Sequence, residues 1–325
     1  MTGLCDSCQR PINYLRISVT DRCNLRCVYC MPPEGVKPLT RDAVLHYEEI
    51  FTVAKAAAEM GINKLRLTGG EPLARAHLTT LIRMLSGIEN VDDIALTTNG
   101  VLLRQHAERL KEAGLRRVNV SLDTLKRERF RKIARRDHLD EVLDGLAAAK
   151  EAGLEPVKMN MVVMRGINDD EVIDFAQRTI EEGWHVRFIE QMPFVGGTGI
   201  TFVPTYEIHE RLLCLGTLEP CLPSSGSGPA KYFQFKGASG TIGFISPISD
   251  HFCFNCNRLR LTVDGKLRPC LFSDEEIDLK ASLRSGASSD DIKQLIRQAV
   301  AAKPKQHQLC EGISPKGRTM SQVGG

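Results

Sequence analysis

Apolar residues recur along this chain with two alternating periods. Between residues 15 and 190, short runs rich in aliphatic and β-branched residues predict six strands, at 15–19, 64–67, 93–97, 117–122, 157–163 and 184–189. Between the strands the apolar positions are spaced three and four apart. Ile50, Phe51, Ala54, Ala57 and Ala58 form one such stripe, Leu103, Ala107 and Leu110 a second, and Val142, Leu143, Leu146 and Ala149 a third. That spacing puts each set on one face of a helix. Gly61, Gly114, Gly153 and Gly183 close helical patterns where a left-handed cap is wanted. Six strand-then-helix units, the last ending in a helix near 206–213, imply an α/β fold with a parallel sheet and right-handed crossovers. A curved, partial (β/α)6 TIM-like barrel is the expected architecture, with a flat doubly wound sheet as the second choice.

The pattern changes after Leu215. A Pro, Ser and Gly-rich loop at 220–229 precedes short strands at 232–235 and 241–245. Two further strands, at 258–263 and 266–271, flank Asp264-Gly265, a strong hairpin signal. Helical patterns follow at 277–283 and 292–301. The expected organisation is an N-terminal tail (1–12), the barrel (13–215), a C-terminal α+β extension (216–303) and a flexible tail (304–325) ending in Gly324-Gly325.

The chain has 325 residues, with 43 Lys and Arg against 40 Asp and Glu, a net charge of +3. That balance is unlike a general nucleic-acid binder. No stretch approaches the roughly 18 apolar residues of a membrane span, and the first residues lack an apolar signal region, so the chain reads as cytoplasmic, away from membranes. The count of 11 cysteines is odd, and without an export signal it does not describe a disulfide framework. Metal or redox chemistry is the better explanation.

Cys23, Cys27 and Cys30 form one tight group directly after the first strand. Three thiolates on a short loop can hold three irons of a 4Fe-4S cluster and leave the fourth iron open to a small molecule. A structural zinc site is the alternative, completed by a fourth ligand such as His46. Cys253, Cys256 and Cys270 repeat the arithmetic, with the hairpin folding Cys270 back toward the first two. Here a second cluster competes with zinc completed by His251 or Cys310. Arg258 and Arg260 follow Cys256 two apart, so they share one strand face beside the metal. With Arg16 and Arg66 on the first two strands, they suit a polyanionic ligand.

The Cys-x3-Cys-x2-Cys spacing, with the aromatic Tyr29 before its last cysteine, resembles the signature of the radical S-adenosylmethionine (SAM) superfamily. Thr68-Gly69-Gly70-Glu71-Pro72 follows the second strand as that superfamily's glycine-rich segment does, and two glycines let a ligand approach the backbone closely. The second cysteine group, the Arg-x-Arg pair and the terminal Gly-Gly narrow the resemblance to the branch that opens molybdenum cofactor biosynthesis. This resemblance implies a lyase with two 4Fe-4S clusters that uses SAM to convert GTP to (8S)-3′,8-cyclo-7,8-dihydroguanosine 5′-triphosphate. It implies that Cys23, Cys27 and Cys30 hold the cluster that cleaves SAM, and Cys253, Cys256 and Cys270 an auxiliary cluster. Tyr29, Gly70, Ser121 and Met192 fall where the family contacts SAM. Arg16, Arg66, Thr97, Lys158, Arg258, Leu259 and Arg260 fall where it contacts GTP. An electron donor such as flavodoxin or ferredoxin, a downstream cyclic pyranopterin monophosphate synthase and a homodimer are further implications.

Some residues keep two readings. Lys158 either faces inward, where it needs an anionic partner, or lies on an outward strand face opposite Val157, Met159 and Met161. The resemblance threads the terminal glycines into the active-site pocket, whereas a disordered end is the default for any terminus. Cys5-x2-Cys8 lies outside every motif and reads as a pair of exposed thiols. Two other functions remain open: a radical SAM peptide maturase, and a zinc-stabilised nucleic-acid-binding module using the basic run 126–136.

Overall fold

The computed structural model describes residues 3–194, 201–223, 228–309 and 314–324. Strands and helices alternate through the first half as β1 (Tyr14–Ser18), α1 (Tyr47–Glu59), β2 (Lys64–Thr68), α2 (Leu78–Ser86), β3 (Asp93–Thr98) and α3 (Leu103–Glu112). The alternation continues through β4 (Arg117–Ser121), α4 (Arg127–Ala134), α5 (Leu139–Glu151), β5 (Lys158–Val163), α6 (Val172–Glu181), β6 (His185–Glu190) and α7 (Thr205–Leu212). Strands β1 to β6 are parallel and lie side by side in sequence order. A doubly wound sheet reverses its strand order at a switch point. Here every right-handed crossover steps the same way, so the helices gather on one face and the sheet is a barrel segment.

Strand alternation sorts the two faces. Leu15, Ile17, Leu65, Leu67, Val118, Val120, Met159, Met161, Val186 and Phe188 are all buried in the core beneath the helices. Each such side chain contributes about 1.5–3 kcal/mol by leaving water. The alternate positions are largely polar and face the other way. Parallel register aligns Arg260, Arg16, Arg66, Ala95 and Arg117 across five neighbouring strands, which places four guanidinium groups in one row.

The C-terminal part is not a separate layer. β7 (Leu218–Pro220), β8 (Lys231–Phe235) and β9 (Thr241–Ile245) extend one edge of the barrel segment through a parallel β6–β9 pairing. β10 (Arg258–Leu261), β11 (Lys266–Arg268) and β12 (Ile277–Asp278) extend the other edge through a parallel β1–β10 pairing. The described strands thus form one 12-stranded sheet. The helix expected at 277–283 starts later, as α8 (Leu279–Arg284), because Ile277 and Asp278 pair with β11 and the Asp278 carboxylate caps the helix at the Ala281 amide. α9 (Ser289–Ala301), opened by a Ser288–Asp291 capping box, follows it.

Both ends are anchored. In the N-terminal segment, the buried Arg10 pairs with buried Asp6 and also donates to the carbonyls of Cys253, Pro304 and Lys305. In the last segment, where the sequence leads to the expectation of a flexible tail, Ser321 and Val323 are buried. No helix among the described residues is long and apolar enough to cross a membrane.

Candidate active site

One cavity opens on the inward face of the sheet, and all six cysteines of the two groups line it: Cys23, Cys27 and Cys30, and Cys253, Cys256 and Cys270. All six are free thiols. The first group sits on the loop leaving β1. That loop is held from behind by the last turn of α4, where the Arg26 and Val28 amides donate to the Ala134 and Ile133 carbonyls at 2.9 and 3.0 Å. Inside the loop, the Cys30 and Met31 amides donate to the Cys27 carbonyl. Burial pushes the Cys23 thiol up to about 11 and the Cys30 thiol up to about 12, so positive charge has to arrive with a metal before these groups ionise readily.

The Gly69-Gly70 pair has a different reason from ligand approach alone. The Gly70 amide donates to the Thr20 carbonyl at 2.6 Å, and the Glu71 amide to the Arg22 carbonyl at 2.7 Å. A Cβ at Gly70 would lie 2.3 Å from the Arg22 carbonyl oxygen. The glycines therefore let the loop after β2 lie flush against the chain entering the cysteine loop. Glu71 locks this arrangement. Its buried carboxylate accepts from the Leu73 amide, the Thr98 hydroxyl and the Asn99 amide at 3.0, 2.7 and 2.7 Å. Asn99 in turn donates to Asn24 Oδ1 at 2.7 Å, beside Cys23.

Tyr29 donates its hydroxyl to Asp123 at 2.8 Å, and Asp123 also accepts from the Val162 amide at 2.9 Å. Burial raises the Asp123 carboxyl to about 6 despite these two donors. Tyr29, Gly70, Ser121 and Met192 all line the cavity.

Arg16, Arg66, Thr97, Lys158, Arg258 and Arg260 also line it, joined by Arg117, Arg187 and Lys303. Against these eight cations the lining contains one carboxylate, Glu190. That carboxylate is already taken by the amides of Thr205, Ile248 and Ser249 and by the Ser249 hydroxyl. Lys158 faces inward, 1% exposed, with the Tyr232 hydroxyl 3.4 Å away. Burial, reinforced by Arg187, Arg117 and Arg66, lowers its ammonium to about 7. Burial likewise lowers Arg187 and Arg260 to about 10. Nε and Nη2 of Arg187 and Nη1 of Arg260 are buried with no hydrogen-bond partner among the described residues. Leu259 differs from its neighbours: its side chain is fully buried in the core on the opposite face, leaving only its backbone toward the cavity side.

Around the second group, Lys303 Nζ donates to the carbonyls of Arg258 and Pro269 at 2.8 and 2.7 Å. Burial raises Cys256, but Arg258 and Lys303 outweigh it and bring the thiol down to about 6. Among the described residues no three His, Cys, Asp or Glu groups converge as a single metal ion needs. Thiolates of an iron-sulfur cluster bind separate irons and need no such convergence, so both groups fit a cluster. Of the zinc ligands considered, His46 is exposed and heads α1, with Glu49 completing its capping box, and His251 is not among the lining residues. Cys310 and Gly325 lie outside the described residues.

Residues 17–179 match the family model of the radical SAM superfamily, and residues 184–309 that of Molybdenum Cofactor Synthesis C. A protein of Pelotomaculum thermopropionicum named GTP 3′,8-cyclase is 54% identical, covering 98% of this chain and 99% of the relative. One from Moorella thermoacetica with the same name is 51% identical over the same shares. The chain belongs to the GTP 3′,8-cyclase family of radical SAM enzymes. Among solved structures, Streptococcus suis SuiB bound to S-adenosylmethionine is similar, with TM-score 0.61, 15% identity and coverage of 88% of this chain and 68% of that one. That likeness concerns the fold alone.

Membership makes the chain a radical SAM enzyme of molybdenum cofactor synthesis, with a 4Fe-4S cluster and SAM as its cofactors. The sequence reading missed Arg117, Arg187 and Lys303 in the cyclase cavity, and Asp123 behind it. Arg117 and Arg187 carried a usable signal, since each lies in its strand opposite in parity to the apolar core positions. Lys303, just after a helix, carried none.

Proposed function

We propose that this chain converts GTP to (8S)-3′,8-cyclo-7,8-dihydroguanosine 5′-triphosphate. The observation that carries the proposal is that two cysteine trios line a single cavity together with eight cations. Cys23, Cys27 and Cys30 would hold the SAM-cleaving cluster, and Cys253, Cys256 and Cys270 would hold a second 4Fe-4S cluster on the guanine side of the substrate. When bound, the first cluster supplies one-electron cleavage of SAM to a 5′-deoxyadenosyl radical, the species that abstracts hydrogen from the GTP ribose.

The chain's own residues supply placement. Tyr29, Gly70, Ser121 and Met192 border the SAM position. Arg16, Arg66, Lys158, Arg258 and Arg260 bind the triphosphate, with Thr97 held by a hydrogen bond from Arg66 at 3.3 Å and Leu259 contributing through its backbone. The neighbours Arg260, Arg16 and Arg66 repel one another when the cavity is empty, so a polyanion gains from relieving them, while Arg117 at the end of the row is paired with Asp93. The buried, unpartnered guanidinium atoms of Arg187 and Arg260 are preset donors for that ligand.

The barrel segment and the C-terminal extension act as two parts, 13–215 and 216–303, each contributing one cysteine trio. A flavodoxin or ferredoxin as electron donor, cyclic pyranopterin monophosphate synthase as the downstream enzyme, a homodimer and a cytoplasmic setting complete the reading. The test is anaerobic reconstitution followed by measurement of iron, 5′-deoxyadenosine and the cyclised nucleotide. Strong stimulation of 5′-deoxyadenosine formation by GTP, with GTP consumed, is expected. Equal formation without GTP, and GTP returned unchanged, refutes the substrate.

A further inference from the structure

The basic run at 126–136 has no part in the cavity, yet it adjoins the first cysteine loop. It holds seven cations: Lys126, Arg127, Arg129, Arg131, Lys132, Arg135 and Arg136. The first three are neutralised by Asp137, Asp140, Asp170 and Glu171, and Arg131 pairs with Glu128 at 3.1 Å. Lys132, Arg135 and Arg136 have no carboxylate within ion-pair distance among the described residues. Excess positive charge therefore collects at the C-terminal end of α4.

That end is also where α4 grips the cysteine loop. Its last carbonyls receive the amides of Arg26 and Val28, the two residues flanking Cys27. Arg135, in a left-handed conformation that ends the helix, donates to the carbonyls of Arg26 and Met31 at 3.1 and 3.0 Å. Phe130, Ile133 and Ala134 bury the inner face of α4, while Arg131, Lys132 and Arg136 are exposed on its outer side. A basic patch thus lies on the outer side of the same helix end whose carbonyls hold the Cys23–Cys27–Cys30 loop.

We propose that Arg131, Lys132 and Arg136 form the docking face for an acidic one-electron donor protein. The proposal rests on the reading that Cys23, Cys27 and Cys30 hold a reducible cluster, and it says where the reductant binds. Solvated cations at a helix C-terminus are common because they complement the helix dipole. Here the same cations end the helix that holds the cysteine loop, and none of them lines the cavity. An acidic partner is steered to such a patch, and three unpaired or weakly paired cations suffice for that. They are too few for firm binding to nucleic acid, which relies on neutralising many phosphates. The electron count is simple: a flavin hydroquinone in the donor gives up one electron and becomes a semiquinone, the cluster held by the cysteines gains that electron, and no bond forms or breaks.

The experiment compares the reconstituted wild type with R131E/K132E/R136E and with the milder K132Q/R136Q, using a purified acidic flavodoxin. Circular dichroism and iron content check that each variant is folded and loaded. Flavodoxin binding is read by calorimetric titration, and reduction by bleaching of the cluster absorbance after mixing with photoreduced flavodoxin or with dithionite. Wild-type binding should weaken as salt rises. The triple variant should bind and be reduced by flavodoxin at least about tenfold less well at low salt, with the milder variant between, and with dithionite reduction unchanged. Wild-type affinity and salt dependence in the folded triple variant overturn the proposal. So does a patch that binds a labelled single-stranded RNA but not flavodoxin. Failure of dithionite to bleach the wild type counts instead against the cluster reading, while the binding titration still decides the docking face.

Discussion

Arg16 and Gly324 are 308 positions apart in the chain, yet an Arg16 Nη donates to the Gly324 carbonyl at 3.1 Å. The contact brings the C-terminal segment to the carboxyl end of β1, next to the row of guanidinium groups. Gly324 has φ +82°, and a Cβ there would lie 2.6 Å from Thr68 Oγ1 and 3.3 Å from the Ser18 Cβ.

Gly324→Ala should therefore displace the tail from the cavity without unfolding the protein. The expected result is a loss of about tenfold in kcat/KM for GTP, equivalent to about 1.4 kcal/mol, with iron content and melting temperature unchanged. Wild-type kinetics in G324A would show that the docked tail has no bearing on turnover.

Lys158 carries a pH prediction. Its folded value of about 7 lies below the ordinary 10.5 of lysine. Between these two values the unfolded chain binds a proton there and the folded protein does not, so ligand-free stability should rise with pH across that window. A triphosphate beside Lys158 favours the ammonium, so GTP binding at pH 8 should take up a proton. Calorimetry in buffers of different ionisation heat measures that uptake, and Lys158→Met should abolish it and weaken GTP binding. Identical uptake in K158M assigns the proton elsewhere.

Lys303 braces the second cysteine group through the carbonyls of Arg258 and Pro269. Lys303→Met removes both donors and leaves two buried acceptors unpaired, at about 1–3 kcal/mol each. Iron after anaerobic reconstitution should fall from roughly eight to roughly four per chain, as expected for loss of one of two 4Fe-4S clusters, while SAM cleavage by dithionite-reduced protein persists. Full iron loading in K303M would remove Lys303 from this role.

Glu71 is a test of the loop lock. In Glu71→Gln the amide group meets the Asn99 N–H as a second donor, where the carboxylate Oε2 accepted at 2.7 Å. Stability should drop by about 1–3 kcal/mol in urea denaturation, and SAM affinity should fall with it because Asn24 and Asn99 lose their register. Unaltered urea denaturation would mean that the loop holds without this carboxylate.

Much of the architecture was legible in the pattern of residues. Period-2 runs and 3.6-period stripes located β1 to β6 and their helices, because each strand or helix must bury one face whatever its neighbours are. The cysteine spacing located both cysteine trios that line the cavity for a similarly local reason, since three thiolates on one short segment need little from the rest of the fold. Alternation within β5 put Lys158 opposite Met159 and Met161, but it could not say which of the two faces was inside. The tertiary structure decided that, by covering the methionine face with helices. It also decided that β9 and β10 join opposite edges of one sheet, which brings Cys256 and Cys270 into the cavity with Cys23, Cys27 and Cys30. Strand partners are chosen by which long loops close and which edges are unpaired, and a linear pattern carries neither quantity. The arginine row Arg260–Arg16–Arg66–Arg117 is the product of both levels: parity fixed within each strand by sequence, and register fixed between strands only when the sheet assembled.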